Sequence, residues 1–367
     1  MKLKNLSRKI LTIAIPTWNR ARYLKGLIDQ LVVQINTFKL EQSIEILISD
    51  NASDDNTRQV VDDFIKNSSY IVYSRNEKNI GAKSNVLKSM EIASGEYVLL
   101  IGDDDRIRNN CLLDILKILI ESKPGVLIDI SGFRLKLHEK RSEIPLNELV
   151  RNYYWLMGNA GHYVVKTEYV KSNLKIFGYD YFNECWPHTQ IIILGISQSK
   201  ELCIVDNLTI PETGFHAELM VYSSFYLLRT CYFELLNSIN DIKNNISEDI
   251  YKAARLYMVK SLPQQLLNIL QCGIFVDDAK QKQQTRTHII NNITKFTLKE
   301  QLYLLIIYFG LALPGFISKP LSNLFIFLLK GAPGLEKKNE FVKTELQKKI
   351  SESKPQTRDV RRLEFEK

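Results

Sequence analysis

Four times within the first 110 residues, a short apolar run ends in a polar loop and gives way to a helical pattern. The runs are Ile10 to Ile15, closed by Pro16, then Ile44 to Ser49, Tyr70 to Ser74 and Tyr97 to Ile101. Runs this short, with few or no polar positions, suit strands covered on both faces of a sheet. Helical patterns follow each of them. The first spans Ala21 to about Ile35, with Leu24, Leu27, Ile28 and Leu31 on one face; the second starts near Asn56-Thr57 and carries Val60, Val61, Phe64 and Ile65. The third and fourth lie over Lys83 to Ile92 and Asn110 to Ser122. Strand–loop–helix units of roughly 25 to 35 residues build right-handed crossovers and a mostly parallel sheet, an α/β architecture. Such a sheet gathers its post-strand loops along one edge. Here those loops are polar: Thr17, Asn19 and Arg20; Asp50 and Asn51; Asn79 and Gly81; Asp103 to Asp105. One polar loop is only a loop, whereas four converging on an edge describe a site.

The last loop is the most demanding. Gly102 is followed by Asp103, Asp104 and Asp105, three successive carboxylates that repel one another unless water, a cation or basic groups offset the charge. A solvated acidic turn satisfies that condition, and so does a cation site. Oxygen donors suit Mg2+ or Mn2+, which usually take one or two carboxylates together with substrate phosphates. A metal-bound nucleoside diphosphate is the ligand this position favours.

Ile-Ala-Ile-Pro-Thr-Trp-Asn-Arg (13–20), Ile-Ser-Asp-Asn-Ala-Ser-Asp-Asp (48–55), Asn-Ile-Gly (79–81) and Gly-Asp-Asp-Asp (102–105) resemble, in order and separation, the GT-A domain of family 2 glycosyltransferases. The resemblance covers about residues 10 to 110. It implies a nucleotide pocket lined by Pro16, Thr17, Asn19, Arg20, Asn51, Asn79, Gly81 and Asn85, with Asp50 on the base and Asp103 at the ribose. It also implies a metal held by Asp104 and Asp105. Many members carry Asp-x-Asp where this chain has Gly102-Asp103-Asp104, so Asp104 is the foremost ligand. No glycine-rich phosphate loop is present, as in the family, and a bound Mn2+ or Mg2+ would carry the diphosphate charge. By the same resemblance Glu184 is the catalytic carboxylate and His216 a third metal ligand; a helix-start acid favoured by the dipole and a solvated histidine are the plain alternatives. Gly-Asn-Ala-Gly-His (158–162) and Trp-Pro-His-Thr-Gln (186–190) resemble bacterial O-antigen sugar transferases of the abequosyltransferase type. That similarity implies a CDP-, UDP- or dTDP-linked donor sugar, including dideoxyhexoses, and a polyprenyl-diphosphate oligosaccharide acceptor. His162, Trp186 and His188 would then be acceptor contacts.

The rest of the chain bounds this reading. Val126 to Leu137 reads as a further strand, residues 138 to 148 as an exposed loop, Tyr163 to Val165 and Leu202 to Val205 as strands, and Ile191 to Leu194 as helix. Three parts are expected: a GT-A domain over 1–218, a helical region over 219–336 and a charged tail over 337–367. The five cysteines have no close pair, which fits a reducing compartment better than a disulfide or zinc framework. The basic N-terminus lacks the apolar core of a signal peptide. Net charge is +8, and residues 330–367 hold eleven basic against seven acidic residues, half of that excess. With no zinc-finger spacing or aromatic RNA-binding signature, an anionic membrane is the favoured partner and nucleic acid is not. Within 302–329 two apolar stretches flank Pro314-Gly315 and Lys319-Pro320. Each is shorter than the ~20 residues a spanning helix needs, so they form either a buried pair or an interfacial hairpin on the cytoplasmic face of the inner membrane. The sequence reading is a peripheral, metal-dependent glycosyltransferase. A sugar-nucleotide nucleotidyltransferase is the first alternative, although Pro16 to Arg20 lacks the glycine-rich loop it would want. A non-catalytic, glycan-binding descendant of the fold is the second.

Overall fold

The structure, a computed structural model, describes residues 9–130, 141–183, 186–199, 201–206, 208, 211–212 and 234–258, with isolated positions between 283 and 309. Glu184, His216, most of 302–329 and all of 337–367 lie outside the described residues.

The first half of the chain alternates as its pattern implies: β1 (Leu11–Thr17), α1 (Ala21–Phe38), β2 (Ile44–Asp50), α2 (Thr57–Ile65), β3 (Ile71–Arg75), α3 (Ala82–Glu91), β4 (Tyr97–Leu100), a short β5 (Arg106–Ile107) and α4 (Cys111–Ser122). There follow β6 (Val126–Asp129), β7 (Arg141–Ile144), α5 (Leu146–Met157), β8 (Tyr163–Lys166), α6 (Thr167–Phe177), α7 (Pro187–Ser199), β9 (Cys203–Asp206), β10 (Pro211–Glu212) and α8 (Leu235–Asp241). Eight strands form one sheet in the order β3-β2-β1-β4-β8-β6-β9-β7. β1, β2, β3, β4, β6 and β9 share a direction, while β8 and β7 run against their neighbours. The sheet is therefore mostly parallel, and β8 wedges between β4 and β6.

Alternation along each central strand feeds two cores. Tyr97, Leu99 and Ile101 face the side covered by α1, α2 and α4, where Leu24, Leu27, Ile28, Leu31, Val61 and Ile115 pack. Val98 and Leu100 face the other side, covered by α3, α5, α6, α7 and α8. The central strands are buried on both faces, and the polar exceptions Thr12 and Glu45 bond to each other at 2.8 Å. Gln34 of α1 braces the chain beyond β4: its amide donates to the Arg108 carbonyl at 2.9 Å and its carbonyl accepts from Leu112 N–H at 3.4 Å.

Two expectations are corrected. β1 does not stop before Pro16, because Pro16 and Thr17 stay in register with Ser49 and Asp50. The carbonyl of Thr17 faces β2, accepting from Asn51 N–H at 2.9 Å. Pro16, one residue earlier, therefore presents its missing donor to the β4 side, where the ladder has ended at Ala14. Residues 141–148 are also not an exposed loop. Arg141–Ile144 forms the outer strand β7, paired with β9, and Leu146 opens α5. An edge strand keeps its charged side chains half in water. The buried face of α5, with Leu149, Val150, Tyr153, Tyr154 and Met157, alternates with polar residues that mask it in sequence.

Candidate functional site

The carboxyl ends of β1, β2, β3 and β4 bring the four polar loops together. After β1, Thr17 and Arg20 both turn to the acidic loop. The Thr17 hydroxyl donates to Asp103 Oδ2 at 2.6 Å, and the Arg20 guanidinium spans Asp103 Oδ1 at 2.9 Å and Asp104 Oδ2 at 2.5 Å. Asp103 is buried, whereas Asp104 and Arg20 each keep about a third of their side-chain surface in solvent (32% and 33%). Asp105 folds back: its Oδ2 accepts the Gly102 N–H at 2.9 Å, and a Cβ on Gly102 would sit 3.0 Å from that oxygen. Burial pushes the Asp103 carboxyl up to about 6 against the pull of Arg20 and Thr17. Burial likewise pushes Asp105 up to about 7, with Asp104 and Asp103 adding repulsion. The loop holds more buried negative charge than Arg20 alone relieves.

The loops after β1 and β2 clasp each other. Asn19, in the left-handed region at φ 54°, donates its N–H to Ser53 Oγ at 2.9 Å and accepts from Asp54 N–H at 2.8 Å. Asp55 accepts the first N–H of α1, from Ala21, at 3.0 Å and also caps α2 through Thr57. Burial works against its charge, yet the hydrogen bonds from Thr57 and Ala21 hold Asp55 below the usual carboxylate range.

Asp50 sits fully buried at the end of β2. Oδ1 accepts Ser53 N–H at 2.9 Å and Ser53 Oγ at 2.6 Å; Oδ2 accepts the Tyr73 hydroxyl at 2.5 Å and faces Arg75 Nε at 3.5 Å. Burial and the bond to Asp50 raise the Tyr73 hydroxyl far above its ordinary value, so it stays a donor. Asn51 ties the third loop down, donating to Asn79 Oδ1 at 2.7 Å and accepting from Ile80 N–H at 2.9 Å. Gly81, at φ 85°, opens α3. Asn85 is occupied beneath this loop, accepting from Ser49 Oγ at 2.8 Å and Asn76 at 3.1 Å and donating to the Ser49 carbonyl at 2.9 Å. It fixes the floor rather than facing the opening. Tyr73, Ser53, Arg75 and Asn76 are the members that reading by sequence passed over. The signal for two of them is the period-2 placement of Tyr73 and Arg75 at the end of β3, in register with Ile48 and Asp50.

His162, Trp186 and His188 lie further along, where β8 and α7 begin. His162 is buried with Nδ1 3.1 Å from the Asp129 carbonyl, and burial lowers its pKa against that hydrogen bond. His188 is buried with Nε2 2.8 Å from the Gly158 carbonyl, its ring stacked on Tyr163, and burial lowers it to about 4. Trp186 packs over Gly158, where a Cβ would approach its ring to 2.4 Å. All three are less than a tenth exposed, so in this packing they shape the core beside the edge.

The donor set fits a hard divalent cation. Carboxylate oxygens are supplied, one aspartate is partly open, and Arg20 is the cation placed against Asp103 and Asp104. Among the described residues no group of three acidic, histidine or cysteine side chains gathers around one point.

An eight-stranded, mostly parallel sheet whose β4 ends in this acidic loop, with helices on both faces, defines a GT-A transferase fold. Solved structures agree. Residues 1–349 of TarS from Staphylococcus aureus superpose with a TM-score of 0.52 at 17% identity, covering 82% of this chain and 90% of that one. Residues 12–163 match the family model described as Glycosyl transferase family 2. Abequosyltransferase RfbV of Salmonella typhimurium is 35% identical over 120 residues, 32% of this chain and 35% of that protein. The GalNAc(5)-diNAcBac-PP-undecaprenol beta-1,3-glucosyltransferase of Campylobacter jejuni is 31% identical over 153 residues, 38% of this chain and 47% of that one. The alignments thus span a third to about half of these relatives.

Proposed function

We propose that this protein transfers a sugar from a nucleoside-diphosphate donor to a hydroxyl of a lipid-linked oligosaccharide during surface-polysaccharide synthesis, working at the cytoplasmic face of the bacterial inner membrane. The observation that carries the reading is the convergence of Arg20, Asp50, Asp103 and Asp104 on one sheet edge. The names of the relatives support the acceptor class: one carries an undecaprenol diphosphate glycan in its name. TarS, which shares the fold, has been crystallised with UDP-GlcNAc.

In this reading the floor made by Asp50, Asn51 and Asn85 fixes the base and ribose subsites. Asp104, with Asp103 and Asp105 behind it, would hold Mn2+ or Mg2+. Such an ion supplies charge stabilisation for the departing diphosphate. β10 pairs with β5 directly after the acidic loop, which returns the chain to this edge four residues before His216 and supports His216 as a further ligand. Glu184, three residues ahead of α7, is the proposed base for the acceptor hydroxyl; a positioned base contributes about 100- to 10,000-fold. Among the described residues no helix is long and apolar enough to cross a membrane. Attachment is therefore assigned to the apolar stretches of 302–329 and the basic residues that follow.

Release of nucleoside diphosphate from CDP-, UDP- and dTDP-sugars, with a polyprenyl-linked glycan extract as acceptor, tests the reading. One donor class is expected to turn over, with loss of turnover in chelator. Glu184→Gln should retain donor binding while turnover falls at least about 100-fold. Pyrophosphate release from a nucleoside triphosphate and sugar phosphate would point to a nucleotidyltransferase, and no release from any donor would overturn the proposal.

A further inference from the structure

We infer that Arg20 is an internal counter-cation of the acidic loop, which a divalent ion must displace, so that this side chain sets how strongly the ion binds without nucleotide. The inference rests on the metal–nucleotide reading above. Its ground is the occupancy of the carboxylates. Asp103 has one oxygen on Arg20 and the other on Thr17, and Asp104 gives Oδ2 to the second arm of the same guanidinium. A forked, charge-assisted contact across two carboxylates is among the stronger ones a side chain makes. An ion approaching Asp104 meets a carboxylate already engaged by a positive group, and two cations on one carboxylate pair repel.

The surroundings allow exchange. The backbone of Arg20 is pinned, since its carbonyl accepts from Tyr23 N–H at 3.0 Å and Leu24 N–H at 3.1 Å at the start of α1. The side chain alone is left to move. It is one-third exposed, and its guanidinium lies 5.3 Å from the centre of the Tyr23 ring, a resting surface that does not involve the carboxylates. Asp103 and Asp105 are held by Thr17 and the Gly102 amide irrespective of where Arg20 points. The loop therefore keeps its shape while its counter-charge changes.

The test titrates MnCl2 calorimetrically into the full, nucleotide-free chain as wild type, Arg20→Met and Arg20→Lys. Arg20→Met should bind Mn2+ at least about tenfold more tightly than wild type, the equivalent of one charge-assisted hydrogen bond removed from competition. Arg20→Lys, which keeps the charge and loses the fork, should fall between them. In chelator Arg20→Met should melt below wild type and regain more from Mn2+ than wild type does. If Arg20→Met does not fold in chelator, Arg20→Lys carries the comparison, with several-fold tighter binding expected. Equal or weaker Mn2+ binding by the variants overturns the inference and leaves the metal reading standing. No Mn2+ binding by any of the three, with or without UDP or CDP, overturns both.

Discussion

Ionisation of Asp103 and Asp105 works against the stability of this fold. Burial raises both carboxyls above the ordinary carboxylate value, Asp103 to about 6 and Asp105 to about 7. The unfolded chain therefore ionises these groups first, near pH 4, while the folded chain still holds their protons. Wherever the unfolded state binds fewer protons, stability falls as pH rises. The contribution of the pair is thus most favourable below about pH 4, declines through the interval to about pH 7, and is flat above it. Asp105→Asn retains an oxygen for the Gly102 N–H and removes the ionisation. Its urea midpoint in chelator should exceed that of wild type by a margin that widens between pH 5 and pH 8; parallel profiles would show that Asp105 ionises freely in the fold. Under the proposed function, a bound cation would offset that cost.

At the scale of elements, the turn into α3 is the most exacting piece of the edge. Gly81 sits at φ 85° and ψ 158°, a region closed to side-chain-bearing residues, although no atom lies within 4 Å of a Cβ placed there. Gly81→Ala should therefore cost strain alone, roughly 1–3 kcal/mol, read as a lowered urea midpoint with an unchanged slope. The cost should pass into the site, because the Gly81 carbonyl accepts from Asn51 and its N–H donates to Asn79. A midpoint within error of wild type would mean the loop relaxes freely. The four strand–loop–helix units and their polar termini were legible because burial on both faces leaves an unbroken apolar run. Three things were not. The insertion of β8 between β4 and β6 is a long-range pairing with no local signature. α5 hides its buried face among polar neighbours. At the site, Asn85, His162 and His188 lie against main-chain carbonyls, and a polar side chain looks the same in sequence whether it faces a ligand or a carbonyl. Conversely, Tyr73 reads as part of a plain strand and Arg75 as the loop after it, and the register with β2 reveals that they hold Asp50.

For the whole molecule, the proposed lipid-linked acceptor requires that a site on one sheet edge be brought to a bilayer surface. Leu298, Leu302 and Phe309 are 85%, 61% and 61% exposed, whereas Leu304 is fully buried. Large apolar side chains left in water within one short segment are a candidate contact for an apolar partner. The sequence continues in the same character through 302–329 and then turns basic, with a net charge of +4 over residues 330–367. Each cation near an anionic bilayer adds about 1 kcal/mol, screened within a Debye length, whereas apolar burial in the interface is insensitive to salt. The two contributions predict a graded response. The full-length protein should float with phosphatidylglycerol-containing vesicles at low ionic strength, float less at 0.5 M NaCl without full release, and float weakly with neutral vesicles. Leu298→Glu with Leu302→Glu, both exposed, should remove the salt-resistant fraction while leaving the melting temperature close to wild type. Full release by salt alone would reduce the attachment to electrostatics, and failure to float with any vesicle would return the apolar stretches to the protein core.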